Sequence, residues 1–447
     1  MQVQIRDAVG TAIPYRGARP WREVMMATPV PHVPHTSASA YRLRRQAIRS
    51  AFRSPALYRE AMADVGLIFV LSRILFALAA GIATQILPEA QHDAVVHSQA
   101  PGWIDAVWRW DSVHYYRIAA EGYTGKNAFF PLLPLLLRGV SIGLTGSTAQ
   151  PQPAIYMAPD YGLLLAGIIL PNIFFLFAAL VIYRLVRSAE SRAVARRTIL
   201  YLSFAPLAVY FAVPYTEALF LATTAACFLM LRQKRWVWAG LCGFLATLTR
   251  QVGLLLILPM LYELWLAFRV KTLTRREIAA GAMGLALPFA GIGLFMLVLA
   301  QASGDPLAFL HAQDDWQRRF STPPQTIWQG LSDLMRPYTG DAEKYWVILL
   351  HTFLTLGSLL VILFSIKRWR PSYTLYTVAS LVLILSSHLP SPLVFNSMGR
   401  YTLVLFPIFI SMAQWGRRRW IHWAIMVVSL SLFVVCTALY VRWYPVG

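Results

Sequence analysis

The sequence predicts an all-α polytopic membrane protein, and its composition and its pattern of apolar runs carry this prediction. Of its 447 residues, 57% are apolar and 13% are charged, about half of the ~25% charged residues usual in soluble domains. The apolar residues form runs of roughly 17–28, the length that crosses a hydrocarbon core about 30 Å thick. This pattern excludes a soluble enzyme, a fibrous protein and a disordered chain.

Twelve apolar segments are candidate membrane segments, so the bundle is predicted to contain about 11–12 of them. They are 66–88, 129–146, 160–187, 197–213, 215–231, 236–249, 252–268, 278–300, 345–366, 373–389, 400–415 and 420–442. The first long run begins near Gly66, so no cleavable signal peptide is expected. The chain therefore divides into a basic tail, 1–65, and a transmembrane domain, 66–447. The tail is predicted to be partly disordered or to form a helix lying on an anionic leaflet.

Basic clusters between these segments predict which helix ends face the cytoplasm. They are Arg184–Arg197, Arg232–Arg235, Arg269–Arg276, Lys367–Arg370 and Arg417–Arg419. With the N-terminus inside, two long loops, 89–128 and 301–344, fall on the extracytoplasmic side, and each is predicted to carry interfacial helices. Long loops in compact proteins usually carry function.

Segment 129–146 breaks the alternation of inside and outside. It begins with Phe-Phe-Pro, and it contains Pro134 and, near its middle, Arg138. Irregular backbone at membrane depth is tolerated where it lines a cavity or is covered by protein. We predict a re-entrant or partly inserted helix, which leaves eleven crossings; if it does cross, a neighbouring segment is assigned wrongly.

The formal charge of +20 would indicate nucleic-acid binding in a soluble domain. Here the cytoplasmic clusters account for it, so no nucleic-acid partner is predicted and the lipid bilayer is the expected surroundings. Cys227, Cys242 and Cys436 all lie inside apolar runs. They are therefore predicted to be small buried hydrophobic residues, and neither disulfides nor a cysteine zinc site.

The first outer loop holds the strongest candidate for catalysis. Helical spacing places Asp111, His114 and Tyr115 on one face, just after Trp110. One interpretation is an interfacial helix whose aromatic rings lie at the level of the lipid head groups. The other is a carboxylate that the rings partly desolvate, which suits a general base acting on a hydroxyl. Asp105 is a second candidate for that base.

Two ionisable residues lie at predicted turns on the same outer side. Glu217 follows Pro214-Tyr-Thr, near the start of segment 215–231. Arg250 directly follows segment 236–249. An ionisable residue at such a depth is a functional-site hypothesis by default. The alternatives are a structural Glu217–Arg250 ion pair and an Arg250 side chain that reaches the phosphate head groups.

The second outer loop and the start of the eleventh segment add cations. His311, Asp315, Arg318 and Arg319 recur at helical spacing and predict an amphipathic helix with one charged face. That face is either solvated or, through His311 and an arginine, binds a phosphate by charge-assisted hydrogen bonds. Arg400 begins another helix on the same side.

The candidate carboxylates and cations thus collect on one predicted face that opens into the bilayer, which suits a phosphate-bearing lipid substrate. They are Asp111, Glu217, Arg250, His311 and Arg400. The sequence has no Gly-rich phosphate loop, no HExxH motif and no Ser/His/Asp order. We therefore predict no cofactor; a divalent metal is possible in such a site but nothing indicates one.

Several short motifs resemble the family of the second mannosyltransferase of GPI-anchor biosynthesis, over about 66–442. The first is Trp110-Asp111 leading into Arg117-Ile-Ala-Ala-Glu-Gly-Tyr123, followed by Ala128-Phe-Phe-Pro-Leu-Leu-Pro-Leu-Leu. Further matches are Ala212-Val-Pro-Tyr-Thr-Glu217, Ala246-Thr-Leu-Thr-Arg250 and Gly399-Arg400-Tyr401. The sequence departs from the family in His114 and Tyr115 after the aspartate and in its basic tail. The excess of arginine over lysine favours a bacterial member.

The resemblance implies a GT-C-like bundle and an inverting glycosyltransferase of the bacterial inner membrane, with its active site outside. Its donor would be a polyprenyl-phosphate hexose, with mannose expected, and its acceptor a lipid, a glycan or a protein. Asp111 would be the general base. His311, Arg318, Arg319 or Arg400 would stabilise the leaving phosphate.

Two other classes of protein remain as alternatives. A flippase or transporter of lipid-linked sugars would place charges near the midplane of several helices and often shows two related halves, whereas the charges here collect at one face. A polyprenyl-phosphate phosphatase or ligase would require a denser Arg/His pattern. The glycosyltransferase is therefore the favoured hypothesis.

Overall fold

The computed structural model describes residues 54–91, 97–124, 128–146, 148, 159–271, 273–315, 317–335, 340 and 342–447. All of them belong to one compact unit, Ser37–Gly447. Most of the predicted tail lies outside the described residues. The rest of the chain is helical apart from a pair of two-residue strands, which confirms the all-α prediction.

The helices and strands follow one another with short connections. In chain order they are α1 (Pro55–Ile86), α2 (Gly102–Asp105), α3 (Asp111–Glu121), α4 (Leu132–Thr145), α5 (Tyr161–Arg187), α6 (Arg192–Ser203), α7 (Glu217–Arg232), α8 (Trp236–Thr247), α9 (Ile257–Arg269), α10 (Arg275–Ser303), α11 (Ala308–Asp315), β1 (Arg319–Phe320), α12 (Pro323–Met335), α13 (Ala342–Ser365), α14 (Pro371–Leu385), β2 (Ser387–His388), α15 (Met398–Leu403), α16 (Phe406–Trp415) and α17 (Arg419–Val441). Three 3-10 turns, Ala208–Phe211, Gln251–Leu256 and Ile366–Arg368, lie between them.

Six helices of the described chain are long and apolar enough to cross a bilayer, which makes this a multi-pass membrane protein. They are Pro55–Ile86, Tyr161–Arg187, Gln251–Arg269, Arg275–Ser303, Lys344–Arg368 and Arg419–Val441. The first begins eleven residues before the apolar run, because Ser54 caps it and a proline occupies its first turn.

Two predicted segments are broken rather than continuous. In 197–213, α6 ends at Ser203 and a 3-10 turn follows, because Pro206 disfavours helix in the residue before it. In 400–415, α15 ends at Leu403 and α16 begins at Phe406, three residues later, with a proline in its first turn. These breaks leave irregular backbone inside the bundle, where the polar side chains of the site collect.

Helix α4 does not run through the bundle. Its 14 residues extend about 21 Å, less than the hydrocarbon core. At one end the Leu132 amide donates to the Leu248 carbonyl (3.0 Å), and near the other the Ser141 hydroxyl bonds Asp160 (3.0 Å). Asp160 caps the start of α5 and Leu248 follows the end of α8. Both ends therefore lie at the same end of the bundle, as a partly inserted helix requires.

The predicted cytoplasmic clusters contact one another. Arg417 pairs with Glu190 beside the first cluster (2.7 Å), and Arg232 donates to Tyr373 beside the fourth (3.4 Å). Arg232 ends α7, whose first residue is Glu217, about 24 Å away along the helix. The basic end of the bundle is thus opposite the end that holds the carboxylate.

Helices α8 and α10 approach each other closely through glycine. A Cβ atom on Gly240 would lie 2.3 Å from the carbonyl oxygen of Gly284. Because overpacking of such a contact costs about 1–3 kcal/mol, we expect Gly240→Ala to lower the melting temperature measured in detergent. Gly293→Ala on α10 is the matched control, since nothing lies within 4 Å of its Cβ position and alanine favours helix. Equal melting temperatures for the two variants would contradict the close approach.

Candidate active site

Four helix ends bring carboxylates and guanidinium groups together at one end of the bundle. Asp111 is the first residue of α3, and Glu217 is the first residue of α7. Arg400 on α15 lies between them: its Nη1 donates to Asp111 Oδ2 (3.0 Å), and its Nε lies 3.0 Å from Glu217 Oε1. One arginine therefore bridges two carboxylates that are more than a hundred residues apart in the chain.

Arg250 adds a second cation to the same carboxylate. Its Nη2 donates to Glu217 Oε1 at 2.5 Å, and its Nε donates to the Thr216 hydroxyl at 2.8 Å. The Glu217 side chain is 0% exposed, so both guanidinium groups compensate a fully buried charge. The Glu217–Arg250 pair considered from the sequence is present, and it forms part of a larger network.

Tyrosine rings surround the cations. The Arg400 guanidinium lies 5.2 Å from the ring centres of both Tyr210 and Tyr215. Tyr401 is approached by three guanidinium groups: Arg250 at 5.5 Å, and Arg318 and Arg400 at 5.7 Å each. Arg318 Nη2 also donates to the Tyr401 hydroxyl (3.2 Å). Cation–π contacts of this kind hold the guanidinium groups in place without neutralising them.

The network carries an excess of positive charge. Three arginines (Arg250, Arg318 and Arg400) meet two carboxylates (Asp111 and Glu217). Among the described residues no group of three or more His, Cys, Asp or Glu side chains is placed to bind a metal ion. The site is therefore suited to a ligand with a single negative charge.

Asp111 is more accessible than the Glu217, Arg250 and Arg400 side chains that it joins. Its side chain is 21% exposed, against 8% for Arg400. The loop before it is held from behind: the Tyr215 hydroxyl accepts from the Asp111 amide (3.1 Å) and donates to the Arg109 carbonyl (3.1 Å). Trp110 has a φ of 56°, a conformation that costs about 1–3 kcal/mol in a residue other than glycine and is maintained at functional sites.

Asp105, the other candidate base, is committed to structure. It accepts hydrogen bonds from the Ser98 amide (2.6 Å) and hydroxyl (2.9 Å), from Arg109 Nη2 (2.9 Å), and lies 3.1 Å from His97 Nδ1. Burial alone would raise its pKa, but Arg109, His97 and Ser98 together lower the pKa of Asp105. The carboxylate stays ionised at neutral pH and orders the loop.

Three of the predicted binding residues surround Asp111 in different ways. The Trp110 ring packs edge-on against Trp443 at 5.6 Å. The His114 ring stacks on Phe129 at 4.8 Å. Tyr115 is buried, which raises the pKa of its hydroxyl and keeps it protonated. The Tyr115 ring therefore packs inside the protein.

The predicted charged helix through His311, Asp315, Arg318 and Arg319 is present as far as Asp315 and is wrong beyond it. Helix α11 ends at Asp315, Gln317 has a φ of 54°, and Arg319 lies in β1, paired with His388. Only Arg318 reaches the site. Arg319 is exposed, and His311, also exposed, lies 2.6 Å from Asp305.

Sequence reasoning missed the aromatic and backbone support of the site. Tyr210, Tyr215 and Trp443 position the charged residues, but tyrosines and tryptophans are frequent throughout this chain. Trp443 lies under the Arg109 guanidinium at 4.9 Å. The Tyr401 contacts had one usable signal, since this tyrosine directly follows Arg400 in a motif already singled out.

Comparisons with known proteins agree with the motifs. A family model described as mannosyltransferase (PIG-V) matches residues 65–300. GPI mannosyltransferase 2 from Cryptococcus neoformans var. neoformans serotype D is 31% identical over 149 residues, which is 33% of this chain and 34% of the relative. The alignment thus spans about a third of that relative's length.

Solved structures of membrane enzymes align over most of the chain at low identity. ArnT from Cupriavidus metallidurans, bound to undecaprenyl phosphate, has a TM-score of 0.46 and 13% identity, covering 86% of this chain and 77% of ArnT. The Archaeoglobus fulgidus oligosaccharyltransferase tethered with an acceptor peptide has a TM-score of 0.42 and 12% identity, covering 84% of this chain and 54% of that enzyme.

Proposed function

The chain belongs to the mannosyltransferase (PIG-V) family, and we propose that it transfers a hexose, with mannose expected, from a polyprenyl-phosphate donor to an acceptor hydroxyl. Membership confirms the resemblance that the motifs around Asp111, Glu217 and Arg250 indicated. The acceptor is a lipid, a glycan or a protein.

The charge balance of the site carries this proposal. Three guanidinium groups against two carboxylates leave one positive charge in excess. A polyprenyl-phosphate sugar carries one negative charge on its phosphodiester, and the phosphate gains charge as the sugar leaves. Arginines suit this task because a guanidinium binds phosphate oxygens in a bidentate manner and does not lose its proton.

Asp111 is the base in this mechanism. Its carboxylate takes the proton of the acceptor hydroxyl, whose oxygen then forms a bond to the anomeric carbon from the face opposite the phosphate. The bond between that carbon and the phosphate oxygen breaks, and polyprenyl phosphate leaves. The anomeric carbon of the transferred sugar is then bonded to the acceptor with inverted configuration. Arg318 and Arg400 stabilise the developing charge on the phosphate.

The location of the site follows from the basic clusters. Arg232, at the opposite end of α7 from Glu217, belongs to a cluster that the positive-inside rule assigns to the cytoplasm. We therefore place the site on the extracytoplasmic side of a cytoplasmic membrane, with the N-terminus inside.

A transfer assay with two neighbouring arginines tests the donor site. Protein in nanodiscs receives radiolabelled polyprenyl-phosphate mannose and a membrane-lipid extract as a source of acceptors, and the label is expected to move to a new product. Arg318→Ala is expected to raise the KM for the donor about tenfold or more, since a hydrogen bond to a charged group is worth about 1.5–3 kcal/mol.

Arg319→Ala is the matched control, because it removes the same charge one residue away from an exposed position. Its donor KM should stay within about twofold of wild type, as expected for a screened surface charge. Equal KM values for the two variants would remove Arg318 from the donor site. Absence of any transfer with every lipid-linked sugar tried would overturn the proposed function.

A further inference from the structure

A cavity lies beside the site, between α1 and α5. It has a volume of about 1070 Å³, at the upper end of the range for ligand sites. Both helices belong to the membrane-spanning set, so the cavity is a groove along their length. Asp105 and Arg109, shortly before Asp111, line one end of this groove, which we call its mouth.

Deep in the groove, the Arg73 guanidinium of α1 and the Asn172 amide of α5 both line the cavity. Arg73 Nε and Nη2 are shielded from solvent and have no hydrogen-bond partner in the described chain. The guanidinium lies 5.1 Å from the Phe69 ring and 4.9 Å from the Phe175 ring. Asn172, one turn from Phe175, uses its Nδ2 on the Ile168 carbonyl (2.7 Å) and leaves Oδ1 without a partner among described residues. We call Arg73 and Asn172 the deep pair.

The mouth of the groove repeats this combination. Arg442 Nε and Glu89 Oε1 are buried and find no hydrogen-bond partner in the ranges that the structure covers, while the other Glu89 oxygen, Oε2, lies 3.0 Å from His97 Nε2. The two residues are neighbours, because the Ala90 amide donates to the Arg442 carbonyl (3.0 Å). We call Glu89 and Arg442 the mouth pair. Thirteen residues separate Arg73 from the end of α1 at Ile86, which is about 20 Å.

Unpaired polar groups at these depths require a partner. A buried donor or acceptor without one costs about 1–3 kcal/mol, and more when it is charged; a charge in a membrane segment usually marks a substrate or ion pathway. Acyl chains would satisfy none of these atoms. Each pair offers donors from a guanidinium and one acceptor oxygen, which matches a head group with phosphate oxygens that accept and sugar hydroxyls that donate.

We propose that this groove carries the phosphosugar head group of the lipid donor across the bilayer to the active site, with the deep pair and the mouth pair as successive binding positions. The inference rests on the proposed function for the identity of the donor. The groove opens sideways between two helices, so the lipid chain remains in the bilayer while the head group moves. Both positions offer guanidinium donors and one acceptor oxygen, from an amide in the deep pair and from a carboxylate in the mouth pair.

An aromatic pair closes the groove below Arg73. The rings of Phe69 and Phe175 stack at 6.3 Å. Beyond them, towards the basic end, Asp64 on α1 binds Tyr183 on α5 (2.6 Å) and Arg192 at the start of α6 (2.8 Å). Passage of the head group beyond this end of the groove would require the two rings to separate.

Translocation can be measured apart from transfer. Purified protein is reconstituted in vesicles with radiolabelled polyprenyl-phosphate mannose and no acceptor, and impermeant periodate oxidises the mannose that is exposed outside. In the wild type the inner-leaflet label should also become oxidised over minutes, whereas protein-free vesicles should protect it. Arg73→Leu should slow this phase about tenfold, as expected for loss of one charge-assisted contact, and Asn172→Leu about threefold to tenfold, as expected for loss of a neutral hydrogen bond.

Ile74→Ala is the matched control, since Ile74 is half exposed on the lipid side of α1 and does not line the groove. Melting temperatures in detergent show whether each variant is folded, and Asn172→Leu serves if Arg73→Leu is not. Wild-type rates equal to those of protein-free vesicles, or unchanged rates in both folded variants, would overturn the inference. Sugar transfer in detergent without translocation in vesicles would overturn the inference about the groove and leave the proposed function intact. Translocation without sugar transfer would contradict the proposed function.

Discussion

Asp111→Asn is expected to lower the rate of sugar transfer by about 10²–10⁴-fold, the usual loss when a general base is removed. Asparagine retains the size of the side chain but cannot take a proton from the acceptor hydroxyl. Donor binding should persist, because Arg250, Arg318 and Arg400 remain and one competing negative charge is removed. The measurement is single-turnover release of label from lipid phosphate, beside equilibrium binding of the same donor.

Asp105→Asn is the control that separates the two candidate bases. Asp105 pairs with the buried Arg109 (2.9 Å), and breaking a buried pair costs about 3–5 kcal/mol. We therefore expect a clear fall in melting temperature for Asp105→Asn and little change for Asp111→Asn, whose side chain is partly exposed. If Asp111→Asn keeps more than about a tenth of wild-type transfer, general-base loss of the usual size is contradicted.

Much of the architecture could be predicted because the bilayer imposes it. Apolar runs long enough to cross the hydrocarbon core became helices, and the clusters around Arg232 and Arg417 contact other basic segments. The short helix α4 was also predictable, from the short apolar run with Pro134 and Arg138. Helix breaks near Pro206 and before Phe406 were not, since hydrophobicity alone does not register where a helix changes direction.

From the sequence, only the charged residues of the site could be predicted. Asp111, Glu217, Arg250 and Arg400 do meet, and their shared predicted side was the signal. His311 and Arg319 do not join them, because helical spacing was extended past Asp315 into a turn and a strand. The positive φ of Gln317 ends the helical path. Neither glycine nor proline occupies this position, so the sequence does not indicate the turn.

The ion network between α7, α8 and α15 supports the second large prediction. Glu217 is fully buried and contacts both Arg250 and Arg400. Arg400→Ala is expected to cost about 3–5 kcal/mol of stability, because it leaves a buried carboxylate with one partner and places it near Asp111 without the bridging cation. Glu217→Gln should cost a similar amount, since two guanidinium groups then lack their shared charge. Unfolding of the protein in detergent by denaturant or by heat provides the differences in free energy.

The double variant distinguishes a coupled network from two independent contacts. With Arg400→Ala and Glu217→Gln combined, the contact between these two side chains is lost once rather than counted twice, so the loss should be smaller than the sum of the single losses by about 0.5–3 kcal/mol. Additive losses would mean that the 3.0 Å approach of Arg400 Nε to Glu217 contributes nothing. Transfer should remain impaired in the double variant even where stability recovers, because Arg400 also contacts Asp111. Recovery of transfer together with stability would instead make Arg400 a structural residue and leave Arg250 and Arg318 as the phosphate ligands.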